Sequence, residues 1–509
     1  IDYYFEHNLV QMFSVSCFPY NKASLKLIEK QGLKIKQEDI PLDDSSVYSM
    51  ISEGDTLGVF QLEGSGMRSF LSSMKPSCFE DVVAAISLYR PGPMDSIPKY
   101  IHGKEDKKNI SYMTPKLAPI LDVTYGCMVY QEQVMQIVRD LAGYSYGQSD
   151  LVRRAMAKKK HDVMEKERVN FIYGAAKNGI DTDIANKIFD EMTSFASYAF
   201  NKSHAAGYCY LSVQTAWLKK HYPHEFFAAT LSSMMGNTAK ISSYIHYCKK
   251  TGIKVLAPHI NNSDGKFTID TINGEKCIRF GMLAIKGLGE KIAEQIVAER
   301  AKNGPFKSIY DFVDRIDSTV INKRCLESLI YSGCLDSLGA NRNQLLMIYE
   351  KLLKNKSKNT KNANQNQLSL FDVLEEDNNA ENEDYPNVPE LNFRKLLSFE
   401  KAMTGLYMSG HPLDSYSDIL NKLTMNIADI KELEDLPDFG QRHDGKNVNI
   451  GAIISKVNIR TTSKKEQMAS LVIEDLSSEI EAVVFNKTFN RLSDMLYEDY
   501  NVILIKHIA

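Results

Sequence analysis

The side chains best suited to chemistry in this chain are cationic. Arg153-Arg154-Ala155-Met156-Ala157-Lys158-Lys159-Lys160 sets five positive side chains in eight residues, with no acid among them. Guanidinium forks match the paired oxygens of phosphate groups, and ammonium groups add point charge. On a helix Arg154 and Lys158 stand one turn apart on one face, so Arg153, Arg154 and Lys158 are candidate phosphate ligands. The competing reading is a solvated basic face. Some forty residues on comes Phe200-Asn201-Lys202-Ser203-His204-Ala205-Ala206-Gly207-Tyr208. Its small residues allow close backbone approach, and Lys202, Ser203 and His204 offer three donors to an anion. A lone histidine of this kind is more often structural than functional.

Two further segments carry binding chemistry. Phe280 to Ile292 sets Gly287-Leu288-Gly289 between two helical stretches. That arrangement aims backbone N–H groups at the start of a helix toward a phosphate. It is the pattern of a helix-hairpin-helix, which grips a nucleic-acid backbone without reading sequence. Lys286, Gly287, Leu288 and Gly289 are the expected contacts, although any tight helical hairpin can carry Gly-x-Gly. The second segment is an apolar island, Gln367-Leu368-Ser369-Leu370-Phe371, in a polar stretch where no core needs Leu or Phe. It fits a peptide that docks in a partner's groove, with Gln367 on the rim and Leu368, Leu370 and Phe371 in the pocket.

Composition bounds the rest. At about 150 residues per domain, 509 residues imply three or four domains. A hydrophobic content of 43% with 25% charged residues excludes collagen-like, wholly disordered and disulfide-scaffold classes. The net charge of −3, from 61 basic and 64 acidic side chains, supplies no global cationic field, so any nucleic-acid surface must come from local clustering. The eight cysteines are scattered with no Cys-x-x-Cys, which suits a reducing cytosol and argues against a zinc site. His221 and His224 have loosely metal-like spacing, but Pro223 intervenes and no third ligand is near, so no metal site is expected. No apolar run approaches the roughly 18 residues that span a bilayer. A cytoplasmic location without membrane association is expected.

The elements that must position these groups follow from periodicity. Tyr130 to Leu141 puts Val134, Ile137, Val138 and Leu141 on one helical face, and Ser149 to Lys160 and Asp181 to Ala196 show the same period. Ser87 to Pro93 stops a helix, because proline cannot continue one. Residues 350–391, with Lys351, Lys354, Lys356, Lys358 and Lys361 among Asn and Ser and then an acidic run, are expected to form a disordered linker. After Asn447 the period becomes two. Strands are expected at Val448 to Ile454, Met468 to Ile473, Glu479 to Phe485 and Asn501 to Ile505, with a helix at Phe489 to Tyr497. That is the order of an OB-fold short of its fifth strand, so the C-terminus is expected to be truncated. Because residue 1 is Ile, the chain is expected to be an internal piece of something longer.

Many motifs together resemble one family, the bacterial DNA polymerase III alpha subunit. They are Gly58-Val59-Phe60-Gln61-Leu62-Glu63 with Gly66-Met67, Cys78-Phe79-Glu80-Asp81, Tyr89-Arg90-Pro91-Gly92-Pro93, and Tyr125-Gly126 with Tyr130-Gln131-Glu132-Gln133. Leu151 to Lys160, Phe200 to His204 and Trp217-Leu218-Lys219 complete the match. The resemblance runs in order from about residue 24 to the end. It implies a multidomain α+β chain with mostly helical fingers, a clamp-binding domain bearing the helix-hairpin-helix, a disordered linker and a truncated antiparallel OB-fold. The implied layout is 1–59 end of palm, 60–260 fingers, 261–365 hairpin and clamp-binding domain, 366–391 clamp motif and acidic linker, 392–445 helical connector and 446–509 partial OB-fold.

By that resemblance Arg153 and Arg154 grip the incoming deoxynucleoside triphosphate, with Lys202 and His204 beside it. Gln367, Leu368, Ser369, Leu370 and Phe371 dock on the sliding clamp, and the OB strands contact single-stranded template. Primed DNA template, the clamp and other replicase subunits are the implied partners. Mg²⁺ is the cofactor of an intact polymerase. The sequence departs from the family at its start, where an Asp-Phe-Leu-Gly-Leu segment should open near residues 11–13. It reads Gln11-Met12-Phe13-Ser14-Val15-Ser16-Cys17 instead, and the Asp-x-Asp pair would lie upstream. The catalytic carboxylates that hold Mg²⁺ are therefore expected to be missing, and no catalytic or metal-binding residue is assigned. An upstream frame shift or broken gene accounts for atypical residues 1–23, and an intact upstream reading frame would exclude it. Two other readings of the same chain are a non-catalytic DNA- and clamp-binding remnant and an error-prone repair paralogue.

Overall fold

A computed structural model describes residues 35–157, 161–196, 199–364, 385–420, 425–434, 449–462, 466–496 and 502–505, with a few isolated positions besides. Two compact units divide the chain, one ending at Tyr222 and the other running from Pro223 onward.

The first unit is helical. It comprises α1 (Ser45–Ser52), α2 (Ser65–Met74), α3 (Phe79–Leu88), α4 (Ile97–Glu105), α5 (Ala118–Leu121), α6 (Gln131–Ala142), α7 (Tyr146–Ala157), α8 (His161–Lys177), α9 (Thr182–Ala196) and α10 (Lys202–His221). The helices expected at 130–141, 149–160 and 181–196 are α6, α7 and α9, each shifted by a residue or a few at its ends. Val134, Ile137, Val138 and Leu141 of α6 are buried with Phe171, Ile188 and Phe189 in one core. The helical spacing of those four residues is what turns a single stripe inward. A second core gathers Val47, Ile51, Leu71, Val83, Cys209, Val213 and Ala216 from α1, α2, α3 and α10.

From Leu211 to Lys219 helix α10 is buried on nearly every side, and its polar residues there act as clasps for the chain around it. Lys219, almost wholly buried, donates to the Asp55 carboxylate (2.8 Å) and to the carbonyls of Asp55 (2.9 Å) and Leu57 (3.1 Å). Thr215 Oγ1 accepts from the Phe60 N–H at 3.2 Å, and Gln214 Nε2 donates to the Gln37 carbonyl at 3.0 Å. Gly174 lets α8 press on the end of α6: a Cβ there would lie 2.2 Å from the Ala142 carbonyl oxygen.

In the second unit α11 (Pro223–Ser233) and α12 (Thr238–Lys250) lead to a small sheet of β1 (Val255–Leu256), β2 (Thr268–Ile272) and β3 (Glu275–Arg279), ordered β1-β3-β2. Helices α13 (Glu290–Asn303), α14 (Ile309–Arg315), α15 (Lys323–Tyr331), α16 (Arg342–Asn364) and α17 (Phe393–Thr404) follow, then α18 (Ser417–Leu420) and α19 (Ile427–Glu434). Residues 350–364 are thus the second half of a helix, not a disordered linker. Lysine is a good helix former, and the helix is tied down on one side: Lys356 Nζ donates to the Asp314 carbonyl at 2.8 Å, at the end of α14. The remainder of the expected linker up to residue 384 lies outside the described residues. Glu400, fully buried on α17, is held by Arg342 (2.8 Å) and by the N–H groups of Met408 (2.8 Å) and Ser409 (2.9 Å). A buried carboxylate needs that many partners to offset its lost hydration.

An antiparallel sheet follows, β4 (Ile450–Thr461), β5 (Gln467–Glu474), β6 (Glu479–Val484) and β7 (Val502–Ile505), with α20 (Asn486–Leu492) before the last strand. The strand order is β6-β5-β4-β7. Ala469, Leu471 and Ile473 alternate inward with period two and pack with Ile450, Ile454, Ile430 and Phe489. The last three strands lie within about a residue of where the period of the sequence puts them, whereas β4 runs seven residues past the expected end at Ile454, to Thr461, where it pairs with the start of β5. The helix begins and ends earlier than expected, its last turn being a 3₁₀ turn at Ser493–Met495.

Candidate phosphate-binding site

The basic run and the Phe200 segment meet in the first unit because two helix starts are laced together. Gln131 N donates to the Phe200 carbonyl (2.9 Å) and Phe200 N to the Val129 carbonyl (3.3 Å), which joins the entry of α6 to that of α10. The Gln131 side chain then reaches both ways. Its Nε2 donates to the Ala199 carbonyl at 3.0 Å, and its Oε1 accepts from Arg153 Nη1 at 2.8 Å. Arg153 is therefore fixed to the approach of α10, some fifty residues away in sequence.

Both arginines also share one carboxylate. Arg153 donates to Asp150 Oδ1 through Nε (2.9 Å) and Nη2 (2.7 Å), and Arg154 Nη2 lies 2.7 Å from Asp150 Oδ2. The Arg153 hydrogen bonds, backed by the charge of both guanidinium groups, hold the Asp150 carboxyl below its ordinary range. Arg154 is largely exposed, its side chain 64% accessible, and faces solvent with one side of its fork. Lys158 lies outside the described residues.

At the start of α10, where Lys202, Ser203 and His204 were expected to offer donors, two backbone N–H groups and the Lys202 ammonium already have acidic or amide partners. Asn201 Oδ1 caps the helix by accepting from His204 N at 2.9 Å, and Glu132 Oε2 accepts from Lys202 N at 3.0 Å. Glu132 Oε1 also accepts from Asn201 Nδ2 at 3.1 Å. A carboxylate thus sits where a helix N-terminus favours negative charge. The Lys202 ammonium lies 3.1 Å from Glu80 Oε2 and 5.4 Å from the centre of the Tyr130 ring. Tyr130 is buried, which pushes its hydroxyl pKa far up.

An aromatic row lies beside these charges. His204 meets Phe200 at 5.5 Å edge-on and Tyr208 at 4.4 Å, and Tyr208 stacks on Phe60 at 5.4 Å. The Arg90 guanidinium lies 4.0 Å over Phe200. Burial lowers the pKa of Arg90 from its ordinary value. The arrangement offers guanidinium forks to a multi-oxygen anion and aromatic faces to a flat ring system close by. Gln131, Glu132, Asp150, Phe60, Tyr208 and Arg90 are absent from the sequence-derived site. Asp150 alone had a local signal, since it stands three and four residues before the two arginines.

In the second unit Gly289 precedes α13, and Gly287 takes a φ of +91°, where a Cβ would lie 2.7 Å from Ser328 Oγ and 3.4 Å from Arg324 Nε. Glycine is required there on both counts. The stretch before the turn is only a three-residue 3₁₀ turn, Met282–Ala284, rather than a helix. Two of the expected backbone donors are already engaged: Lys286 N donates to the Met403 carbonyl (2.8 Å) and Leu288 N to the Ile285 carbonyl (3.2 Å). The packing adds Arg324, at the start of α15, whose first turn is capped by Asn322 Oδ1 on Cys325 N at 3.0 Å. Gln367 to Phe371 lie outside the described residues.

Among the described residues no group of three His, Cys, Asp or Glu side chains is arranged to hold a metal ion. No described helix is long and apolar enough to cross a membrane.

The first unit thus holds an arginine pair laced to a second helix start, and the second unit holds a glycine turn that opens a helix. By family comparison, residues 21–179 match the bacterial DNA polymerase III alpha subunit finger domain, which takes in the arginine pair, and residues 252–345 match a helix-hairpin-helix motif, which takes in the glycine turn. The chain belongs to the bacterial DNA polymerase III alpha-subunit family. It is 40% identical over 479 residues to the DNA polymerase III subunit alpha of Borreliella burgdorferi, covering 94% of this chain and 41% of that one. Against the Thermus aquaticus protein of that name identity is 39% over 486 residues, 94% of this chain and 38% of that one. Against the Bacillus subtilis protein it is 39% over 473 residues, 93% and 41%. The chain spans about two fifths of the length of these relatives.

Proposed function

We propose that this chain supplies the nucleotide-gripping and DNA-holding parts of a DNA-directed DNA polymerase of bacterial replication, acting in the cytoplasm on primed template and deoxynucleoside triphosphates. The observation that carries this reading is the arginine pair of α7, oriented by Asp150 and tied through Gln131 to the start of α10. Phosphoryl transfer asks protein side chains mainly for positioning and charge neutralisation. Arg153 and Arg154 neutralise the triphosphate, Lys202 adds charge at its edge, and the row from Phe200 to Phe60 orients the base. Lys158, four residues after Arg154 in sequence, is taken as a further phosphate ligand on that spacing alone.

The glycine turn at 286–289, with Arg324, holds the duplex backbone. The order β6-β5-β4-β7, with α20 before β7, supports a partial OB-fold at 446–509 that meets single-stranded template. Residues 60–260 serve as fingers and 261–365 as the hairpin and clamp-binding domain, while Gln367 to Phe371 dock on the sliding clamp; other replicase subunits are further partners. The 509-residue chain by itself binds these ligands without extending a primer. Residues 11–17 offer no carboxylate where the family opens Asp-Phe-Leu-Gly-Leu, and Mg²⁺ belongs to the complete palm.

The test is a titration of a fluorescent deoxynucleoside triphosphate into the full chain. Charge-assisted hydrogen bonds contribute about 1.5–3 kcal/mol each, so Arg153→Ala and Arg154→Ala should each weaken binding by roughly tenfold or more. Unchanged affinity in both variants would remove the arginine pair from the site.

A further inference from the structure

We propose that the outward face of α16 is a binding track for the phosphate backbone of duplex DNA, continuous with the hairpin surface. The inference rests on reading that hairpin as a DNA-backbone contact. At 3.6 residues per turn, Lys351, Lys354 and Lys358 fall within an arc of about 60° on the helix. All three are exposed, and none forms an ion pair with a described residue. Lys356 stands on the opposite side and donates to the carbonyls of Val313 and Asp314, which fixes the rotation of the helix and turns the other three lysines to solvent. From Lys351 to Asn364 the sequence contains no acid. The last acid before it, Glu350, is engaged by Lys323 at 2.6 Å.

Those contacts also link the track to the hairpin. Arg324 borders Gly287, and the adjacent Lys323 reaches Glu350 at the head of the stripe. The glycine turn, the start of α15 and the lysine face of α16 therefore form one surface. A chain with a net charge of −3 has no general excess of positive charge, so an acid-free lysine face is a local feature. The stripe from Lys351 to Lys358 is about 10 Å long, and one DNA strand presents a phosphate roughly every 3.4 Å of axis, so three lysines match about three phosphates. Flexible ammonium groups on an exposed helix suit a contact that recognises phosphate and not base sequence.

The experiment measures anisotropy of a mixed-sequence 24-base-pair duplex (about two turns) with the full chain, across a series of salt concentrations. Each phosphate contact contributes about 0.9 to the slope of log K against log salt. The triple variant Lys351→Gln, Lys354→Gln, Lys358→Gln should lower that slope by about 2–3 and weaken binding at least tenfold at low salt, with the Lys→Arg triple restoring both. An unchanged slope in the Gln triple, while Arg324→Gln lowers it, would overturn the track and leave the hairpin reading intact. A lowered slope in the triple with none in Arg324→Gln would support the track and remove Arg324 from the hairpin contact. If neither variant moves the slope, both readings fall. Should the triple lose helical signal in circular dichroism, Lys354→Gln alone decides, with an expected slope loss of about one.

Discussion

Replacing Asp150 with asparagine tests whether the arginine pair is held in readiness for phosphate. One carboxylate binds both guanidinium groups, at 2.7–2.9 Å, so an incoming anion must compete with it. Two unit charges at 4 Å interact by about 1 kcal/mol in water and about 4 kcal/mol at an effective dielectric of 20. The Arg154 and Asp150 side chains are 64% and 28% accessible, which places the pair toward the watery limit. Screening leaves about 1–2 kcal/mol of competition in all. Asparagine keeps an oxygen for Arg153 and removes the charge. Asp150→Asn should therefore tighten binding of inorganic tripolyphosphate by about five- to thirtyfold at low salt. Because the arginines hold the Asp150 carboxyl below its ordinary range, it is ionised throughout neutral pH, and the gain should be flat there. Calorimetry of both proteins at low and high salt measures it. Weaker binding by the asparagine variant, with an unchanged melting temperature, would show that the carboxylate only orients the arginines and would refute the competition.

Three further outcomes follow from the packing. Gly174→Ala forces a Cβ to within 2.2 Å of a backbone carbonyl that cannot swing aside, so thermal unfolding should show a loss of about 1–3 kcal/mol; an unshifted transition would contradict the close approach of α8 to α6. Lys219→Met leaves the acceptors of Asp55 and Leu57 without their buried donor and should cost about 3 kcal/mol in urea unfolding, whereas a loss below about 1 kcal/mol would mean that the 55–57 segment is anchored elsewhere. Asp44 is lowered from 3.8 to about 2, chiefly by the Ser46 hydroxyl, with the Ser46 N–H and His221 adding against the effect of burial. Its folded pKa is the lower one, so its contribution is complete above 3.8 and is lost as pH falls toward 2. Discounted for exposure, that is about 1–2 kcal/mol. Asp44→Asn should flatten that acid limb of the stability curve, and an unaltered limb would contradict the assignment.

Local pattern was legible wherever period alone decides structure. The helical stripe of α6 and the period-two strands after Asn447 could be placed because burial on one face writes itself into the sequence. The lysine-rich stretch was not legible, since composition argues for disorder while the side contact of Lys356 with the end of α14 is tertiary. The same limit applied to the site. Arg153 and Arg154 stand out as a run, and the Asp150 carboxylate was within reach of the i, i+3 and i, i+4 rule. Gln131 and Glu132 come to the start of α10 only because the entries of α6 and α10 pair across some seventy residues. Arg324 reaches the glycine turn through packing of α15, with no sequence signal near Gly287 to announce it.

Primer extension with the purified chain, Mg²⁺, all four deoxynucleoside triphosphates and a labelled primed template tests the central claim most directly, with anisotropy recorded on the same template. The account predicts that the template is bound in a salt-dependent way, that tripolyphosphate binding depends on Arg153 and Arg154, and that the primer is not lengthened. Extension by this chain would contradict it, because a set of metal-holding carboxylates would then have to exist within these 509 residues.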